Sequence, residues 1–194
     1  MSNIEQLKIL REQTGISMIE CKKALEESQG DLKRAKEILR EKGQEMLKGR
    51  EGKATAKGLV ASYIHAGGKI GVLLQLNCET DFVAKSDDFK KLAHELCLHI
   101  AAANPLFIKA GDIPEEFLDG EKKIYQKQMA DSGKPQDILD KVIEGKLAKY
   151  KKEVSLLSQE WVRDTAKTIE QLIDETRAKT GENIEVSKFA RYEI

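Results

Sequence analysis

Residues 70–78 alternate between apolar and small or polar side chains, and this stretch constrains the fold more than any other. The apolar set consists of Ile70, Val72, Leu74, Leu76 and Cys78. Successive side chains of a β-strand point to opposite faces, so this set would share one buried face. A strand that is buried on one side needs a partner strand and a covering layer. The pattern therefore predicts a sheet packed against helices, with Cys78 in the core.

The neighbouring segments supply a partner strand and a cover. Gly67-Gly68 is typical of a two-residue hairpin turn, because both positions tolerate positive φ, so residues 59–66 are expected to form the preceding strand. Residues 87–103 carry apolar side chains at helical spacing, which predicts an amphipathic helix with Ser86 as its N-cap. Residues 183–193 are expected to form a closing strand.

Helical patterns occupy most of the remaining sequence. Three short helices are expected before the sheet, the second opening on a capping box formed by Ser17 and Glu20, with Ile16 packed on Cys21. Asp31 is expected to cap the third helix. Further helices are expected to begin near Pro114 and to span residues 136–154 and 168–179.

These patterns together predict an α+β protein with a small antiparallel three-stranded sheet packed by helices. Glycines and basic residues interrupt the stretch after the third helix, as in a solvated linker. The predicted domains are a three-helix domain at 1–42, a basic glycine-rich linker at 43–58 and an α+β domain at 59–194.

Composition excludes several functional classes. The chain has 194 residues with 33 basic and 33 acidic side chains, which argues against a strongly basic nucleic-acid coat. It has no apolar run of the roughly 18–20 residues that a membrane span needs, and no secretory signal pattern at its N-terminus. Three widely spaced cysteines fit neither a disulfide framework nor a zinc site. We expect a cytoplasmic protein with reduced thiols and no membrane or nucleic-acid partner.

The sequence shows no set of residues for catalysis. His94 and His99 are about 140° apart around a helix and cannot share a metal as an i,i+4 pair can. Gly52-Lys53 fails as a phosphate loop, because Leu47 stands in place of the first glycine and Ala54 in place of the hydroxyl residue. We therefore predict that the protein is not an enzyme and holds no cofactor or metal.

The segment from Glu79 to Ser86, between the second strand and its helix, carries an aromatic ring beside a carboxylate at Asp81-Phe82. One interpretation places Phe82 under the sheet. The other makes the ring a probe for a pocket on a partner protein, since burying a Phe side chain is worth about 1.5–3 kcal/mol.

Three stretches carry a resemblance to a known family. They are Leu10–Gly15 with Met18, Cys21–Leu25 and Gly30-Asp31; Asn77–Ala84; and Gly181–Ile184. The sequence resembles the bacterial elongation factor Ts family, exchange factors of elongation factor Tu, and among these the short members. The resemblance implies a ubiquitin-associated-like N-terminal domain, an α+β core, and a symmetric homodimer that supplies a second core.

The resemblance also implies roles for particular residues. Thr80, Asp81, Phe82 and Val83 match the element that disturbs the magnesium site of elongation factor Tu, with the Phe82 ring wedged between helices of its nucleotide-binding domain. The N-terminal positions that match residues touching the same domain are Arg11, Met18, Ile19 and Lys22. The implied partner is elongation factor Tu in its GDP-bound and nucleotide-free states, and the core would contact a second domain of that partner.

Two alternatives come from other functional classes. The segment from Cys21 to Asp31 also resembles ubiquitin-associated domains, which would make the protein a binding module without exchange activity. RNA binding through the basic linker is opposed by charge, since residues 1–50 contain 11 basic and 9 acidic side chains.

Overall fold

The computed structural model describes residues 3–50, 52–129 and 135–194, without the side chains of residues 44 and 46–48. This part of the chain forms eight α-helices and five β-strands. The helices are α1 (Asn3–Thr14), α2 (Met18–Glu27), α3 (Leu32–Arg50), α4 (Asp81–Lys85), α5 (Asp87–Ala103), α6 (Glu115–Met129), α7 (Gln136–Val154) and α8 (Ile169–Thr180). The strands are β1 (Lys57–Ile64), β2 (Ile70–Cys78), β3 (Glu160–Trp161), β4 (Asp164–Thr168) and β5 (Ile184–Glu193). The predicted α+β class is confirmed.

The first three helices enclose an apolar cluster of their own. Its buried members are Leu10, Cys21, Ala24, Leu25, Ala35, Ile38 and Leu39. Ser17 caps α2 by accepting a hydrogen bond from the backbone N–H of Glu20 at 3.3 Å, as predicted. The Glu20 carboxylate instead accepts a hydrogen bond from Lys23 at 2.8 Å, so it does not complete the expected capping box. Asp31 caps α3 by accepting from two backbone N–H groups.

Helix α3 continues to Arg50, so the first eight residues of the predicted linker are helical. The sequence prediction ended this helix early because Gly43 and Gly49 weaken a helix interior. Gly43 lies against α8, where a Cβ added to it would be 3.6 Å from the Cβ of Ala178. Packing against α8 therefore offsets the low helix propensity of this glycine. The predicted domain boundaries at residues 42 and 58 stay predictions.

The three-stranded sheet has the order β1-β2-β5 and is antiparallel, as expected. On β2 the predicted alternation is confirmed, with Val72, Leu74, Leu76 and Cys78 buried. The connection between β1 and β2 is longer than the predicted two-residue turn, because β1 ends at Ile64 and β2 begins at Ile70, which leaves five residues. Gly67 and Gly68 have positive φ, +90° and +70°, as the prediction required. Ser86 caps α5 by accepting from the backbone N–H of Phe89 at 3.3 Å, as predicted.

The chain divides into two compact units, and neither is contiguous in sequence. The first contains Met1–Ala61, Leu74–His94 and Gln171–Ser187; the second contains Ser62–Leu73, Glu95–Glu170 and Lys188–Ile194. Within the second unit, β3 and β4 form an antiparallel hairpin that the sequence did not predict. A two-residue strand is too short to show a periodic pattern. None of the helices in the described ranges is long and apolar enough to cross a membrane.

Candidate functional site

The segment that the sequence analysis treated as a loop contains the five-residue helix α4. Thr80 is extended and caps this helix, its hydroxyl accepting from the backbone N–H of Val83 at 3.4 Å. Asp81 lies in the first turn, where a carboxylate favours the positive end of the helix dipole. The hydroxyl of Ser86 donates to the carbonyl of Val83 at 2.8 Å and ends the helix. Hydroxyl caps at both ends therefore define this short helix.

Helix α4 has one buried side and one exposed side. Val83 and Ala84 are buried, and they attach the helix to the protein. Phe82 is 85% exposed, so the interpretation that tucked its ring under the sheet is wrong. Asp81 is also exposed and forms an ion pair with Lys57 at 3.3 Å. The helix thus presents an apolar ring and a neighbouring carboxylate to the solvent.

A distant carboxylate braces the start of α4. One oxygen of Glu182, Oε2, accepts hydrogen bonds from the backbone N–H groups of Glu79 at 3.1 Å and Thr80 at 3.0 Å. The other oxygen, Oε1, accepts a hydrogen bond from the Thr80 hydroxyl at 2.5 Å. Hydrogen bonds to a charged acceptor are stronger than neutral ones. Glu182 therefore fixes both the backbone and the capping side chain of this segment.

Glu79 ties the same segment to two other parts of the first unit. Its carboxylate accepts from the backbone N–H of Asn183 at 2.7 Å and from the guanidinium of Arg50 at 2.7 Å. The Asn183 backbone N–H, with the Arg50 guanidinium, holds the pKa of the Glu79 carboxyl below its ordinary value of 4.5. Asn183 also donates from its side chain to the carbonyl of Lys53 at 3.0 Å.

The depressed pKa of Glu79 predicts a pH-dependent stability. A carboxyl whose pKa is lower in the folded state stabilises the protein above its unfolded pKa, and that contribution is lost as pH falls through the folded pKa. We expect Glu79→Gln to be less stable than the wild type at pH 7. The two proteins should converge in acid, where the wild-type carboxyl is protonated. Urea unfolding of both proteins at pH 7 and at about pH 3 measures this, and a pH-independent difference would contradict it.

Two basic residues of the predicted linker pair within the chain. Arg50 forms an ion pair with Glu79 at 2.7 Å, and Lys57 forms one with Asp81 at 3.3 Å. The two carboxylates belong to the residues that precede and follow Thr80 in the sequence. The sequence predicted a solvated connector; these two side chains stay partly exposed but are ion-paired within the chain. The side chain of Lys48 lies outside the described residues.

The N-terminal site residues lie at the end of α1 and the start of α2. Arg11 is in the last turn of α1 and is exposed. Met18 is 37% exposed and Ile19 is 67% exposed, and Lys22 is exposed with an ion pair to Glu26 at 3.8 Å. Met18 and Ile19 lie four and three residues before Lys22, so these three side chains share one side of α2.

The bracing residues of the site were missed by the sequence analysis. Glu182 and Asn183 belong to the third stretch that carries the family resemblance, but no role was assigned to them. Arg50 was interpreted as part of a linker. Glu182 is separated from Thr80 by 102 residues, so no local pattern could join them. The one signal for them in the sequence is that Gly181–Ile184 and Asn77–Ala84 both carry the family resemblance.

The described residues contain no group of three or more His, Cys, Asp or Glu that could hold a metal ion. His99 is buried and hydrogen-bonds to Gln159 at 2.8 Å, and burial lowers the pKa of its imidazole. His65 hydrogen-bonds to the Tyr63 hydroxyl at 2.9 Å. What the candidate site offers is a braced apolar ring and a carboxylate, which suit contact with another macromolecule.

The fold and the exposed side of α4 define an α+β protein with a candidate protein-binding surface. The family model described as elongation factor TS matches residues 8–194. A protein named elongation factor Ts from Coprothermobacter proteolyticus is 50% identical over 188 residues, covering 97% of this chain and 95% of the relative. A protein of the same name from Thermoanaerobacter sp. (strain X514) is 48% identical over 100% of this chain and 95% of its own length. Another from Thermotoga maritima is 47% identical over 99% of this chain and 96% of its own length. The chain belongs to the elongation factor Ts family, and its role is that of a translation elongation factor.

Proposed function

We propose that this protein is a guanine nucleotide exchange factor in translation elongation. It binds elongation factor Tu with GDP, displaces the magnesium ion of that partner and promotes GDP release so that GTP can bind. The observation that carries this proposal is the 85% exposure of Phe82 on a helix whose opposite side is buried. An exposed ring on a braced support suits insertion into a pocket of a partner at low entropic cost.

Exchange in this scheme requires no catalysis by the factor itself. The Phe82 ring enters between helices of the nucleotide-binding domain of elongation factor Tu, and Asp81 lies alongside. Thr80 and Val83 hold the ring in place, through the helix cap and the buried side of α4. A factor that binds the nucleotide-free partner more tightly must weaken nucleotide binding by the same factor. The magnesium ion belongs to the partner, and its loss loosens GDP because the ion holds phosphate charge.

A second contact surface is proposed for the N-terminal helices. Arg11, Met18, Ile19 and Lys22 contact the same domain of elongation factor Tu, and the α+β core contacts a second domain. The separate apolar cluster of α1–α3 supports a ubiquitin-associated-like domain at 1–42. Translation elongation places the protein in the cytoplasm.

We further propose that the protein is a homodimer. Exposed apolar side chains on the three-stranded sheet support this, among them Ile64 at 66% and Leu73 at 50% exposure. A Cβ added to Gly71 would lie 3.1 Å from Cδ1 of Ile64, so Ile64 lies over the same face of β2 as Gly71 and Leu73.

Sedimentation velocity tests the dimer. The wild type should sediment as a dimer at micromolar concentration, and Ile64→Lys should weaken self-association by about tenfold or more, because it replaces apolar contact with a charge. A wild type that stays monomeric at concentrations on the order of tens of micromolar would refute the dimer without touching the exchange proposal.

The exchange proposal is tested by the release of fluorescent GDP from purified elongation factor Tu. Stopped-flow traces with excess unlabelled GDP, recorded with and without this protein, should show a release rate that rises with its concentration and then saturates. An unchanged release rate would overturn the proposal. Capture of ubiquitin but not of elongation factor Tu in a pull-down would favour the binding-module alternative.

A further inference from the structure

Glu182 occupies a position that the exchange proposal does not explain by itself. It lies between α8 and β5 and is not among the residues proposed to contact elongation factor Tu. Its carboxylate nevertheless accepts three hydrogen bonds from Glu79 and Thr80, the two residues that lead into α4. A carboxylate accepts hydrogen bonds and donates none, and the donors here are two backbone N–H groups and one hydroxyl.

The hydroxyl of Thr80 transmits this brace to α4. It donates to Glu182 at 2.5 Å and accepts from the backbone N–H of Val83 at 3.4 Å, so one oxygen links the carboxylate to the first turn of the helix. Helix α4 has only five residues, and isolated helices of this length are unstable because nucleation is costly. Its conformation therefore depends on such contacts.

We propose that Glu182 is a positioning residue for nucleotide exchange, which acts by fixing the first turn of α4 and so the direction in which Phe82 projects. This inference rests on the proposed exchange function. Glu182 touches neither nucleotide nor partner in this scheme. Loss of the Glu182 carboxylate leaves the Phe82 side chain itself unchanged but lets it adopt several orientations. A ring that must be ordered on binding binds more weakly.

The matched control is Glu185. It lies three residues further on and also accepts two hydrogen bonds, from the Thr55 hydroxyl at 2.8 Å and the Asn183 side chain at 3.2 Å. Neither of these bonds reaches Glu79 or Thr80. Glu185→Ala therefore removes a carboxylate from the same region, and with it one bond of the Asn183 side chain. The bond from the Asn183 backbone to Glu79 and the three bonds that Glu182 accepts remain.

A double-mutant cycle on GDP release separates positioning from general destabilisation. At subsaturating factor, Glu182→Ala should slow the release of GDP from elongation factor Tu by about tenfold, the scale of one lost charged hydrogen bond, whereas Glu185→Ala should stay near the wild type. Because Glu182 acts through Phe82, adding Glu182→Ala to Phe82→Ala should cause little further loss. Glu182→Gln keeps one carbonyl acceptor for the two backbone donors and should recover part of the rate. If Glu182→Ala does not fold, Glu182→Gln is carried through the same cycle.

The same variants report on α4 in the absence of elongation factor Tu. Amide hydrogen exchange at Thr80 and Val83, followed by NMR, should quicken in Glu182→Ala and not in Glu185→Ala. Full GDP release by Glu182→Ala with a slow Phe82→Ala variant would overturn the positioning role and leave the exchange function standing. Additive losses in the double variant, or unchanged amide exchange at Thr80, would also overturn it. If the wild type itself fails to accelerate release, the exchange function fails, and the amide measurement still decides whether Glu182 fixes α4.

Discussion

Phe82→Ala should lose most of the exchange activity while the protein stays folded. The ring is 85% exposed in the free protein, so its removal takes away little internal packing. If it becomes buried in elongation factor Tu, the loss is about 1.5–3 kcal/mol, which corresponds to about 10- to 150-fold in the rate of GDP release at subsaturating factor. Stopped-flow release of fluorescent GDP measures this, with thermal melting as the check on folding.

Phe117→Ala is the matched control for this experiment. Phe117 is also a helical phenylalanine with an exposed ring, 52% exposed on α6, where its ring lies edge-on to that of Phe107 at 5.8 Å between centroids. Its removal should leave GDP release unchanged. Equal activity of Phe82→Ala and the wild type would show that the ring does not carry the exchange reaction.

Phe89→Ala should have the opposite effect, with a large loss of stability. Phe89 lies seven residues after Phe82, on α5, and its large side chain is fully buried. Truncation of a buried phenylalanine typically costs about 3–5 kcal/mol of folding free energy, because the apolar transfer energy is lost and a cavity is left behind. Urea unfolding should show this loss as a lower midpoint with a similar slope.

The two phenylalanines control for each other. Phe82→Ala should unfold at nearly the wild-type urea concentration, whereas Phe89→Ala should not. A loss below about 1 kcal/mol in Phe89→Ala would mean that the core around α5 collapses into the cavity or is less tightly packed than the structure shows.

Much of the fold could be predicted because local patterns determine it. The alternation on β2 requires one buried face, and the helical spacing over residues 87–103 together with Ser86 defines α5 at both ends. Ser17 and Asp31 likewise predicted helix starts, since a capping side chain bonds to backbone groups only two or three residues away. These features depend on neighbours in sequence.

Two of the errors have the opposite property, because they depend on residues that are distant in sequence. Helix α3 continues past Gly43 because this glycine packs against Ala178 of α8. Helix α4 begins at a segment in which Glu182 accepts a hydrogen bond from the Thr80 hydroxyl. A sequence read locally assigns a linker to the first and a loop to the second. The exposure of Phe82 could not be settled locally either, since a five-residue helix has too few turns to show which side is apolar.

The central claim is that this protein and GDP each weaken the binding of the other to elongation factor Tu. Measuring the affinity of this protein for elongation factor Tu with and without GDP tests the claim most directly. Isothermal titration calorimetry would compare the binding of this protein to elongation factor Tu in the nucleotide-free state and in the presence of saturating GDP. Linkage requires that the factor bind the nucleotide-free form more tightly, by the same ratio by which it weakens GDP binding. Equal affinities for the two forms would contradict the account, because a ligand with no preference shifts nothing.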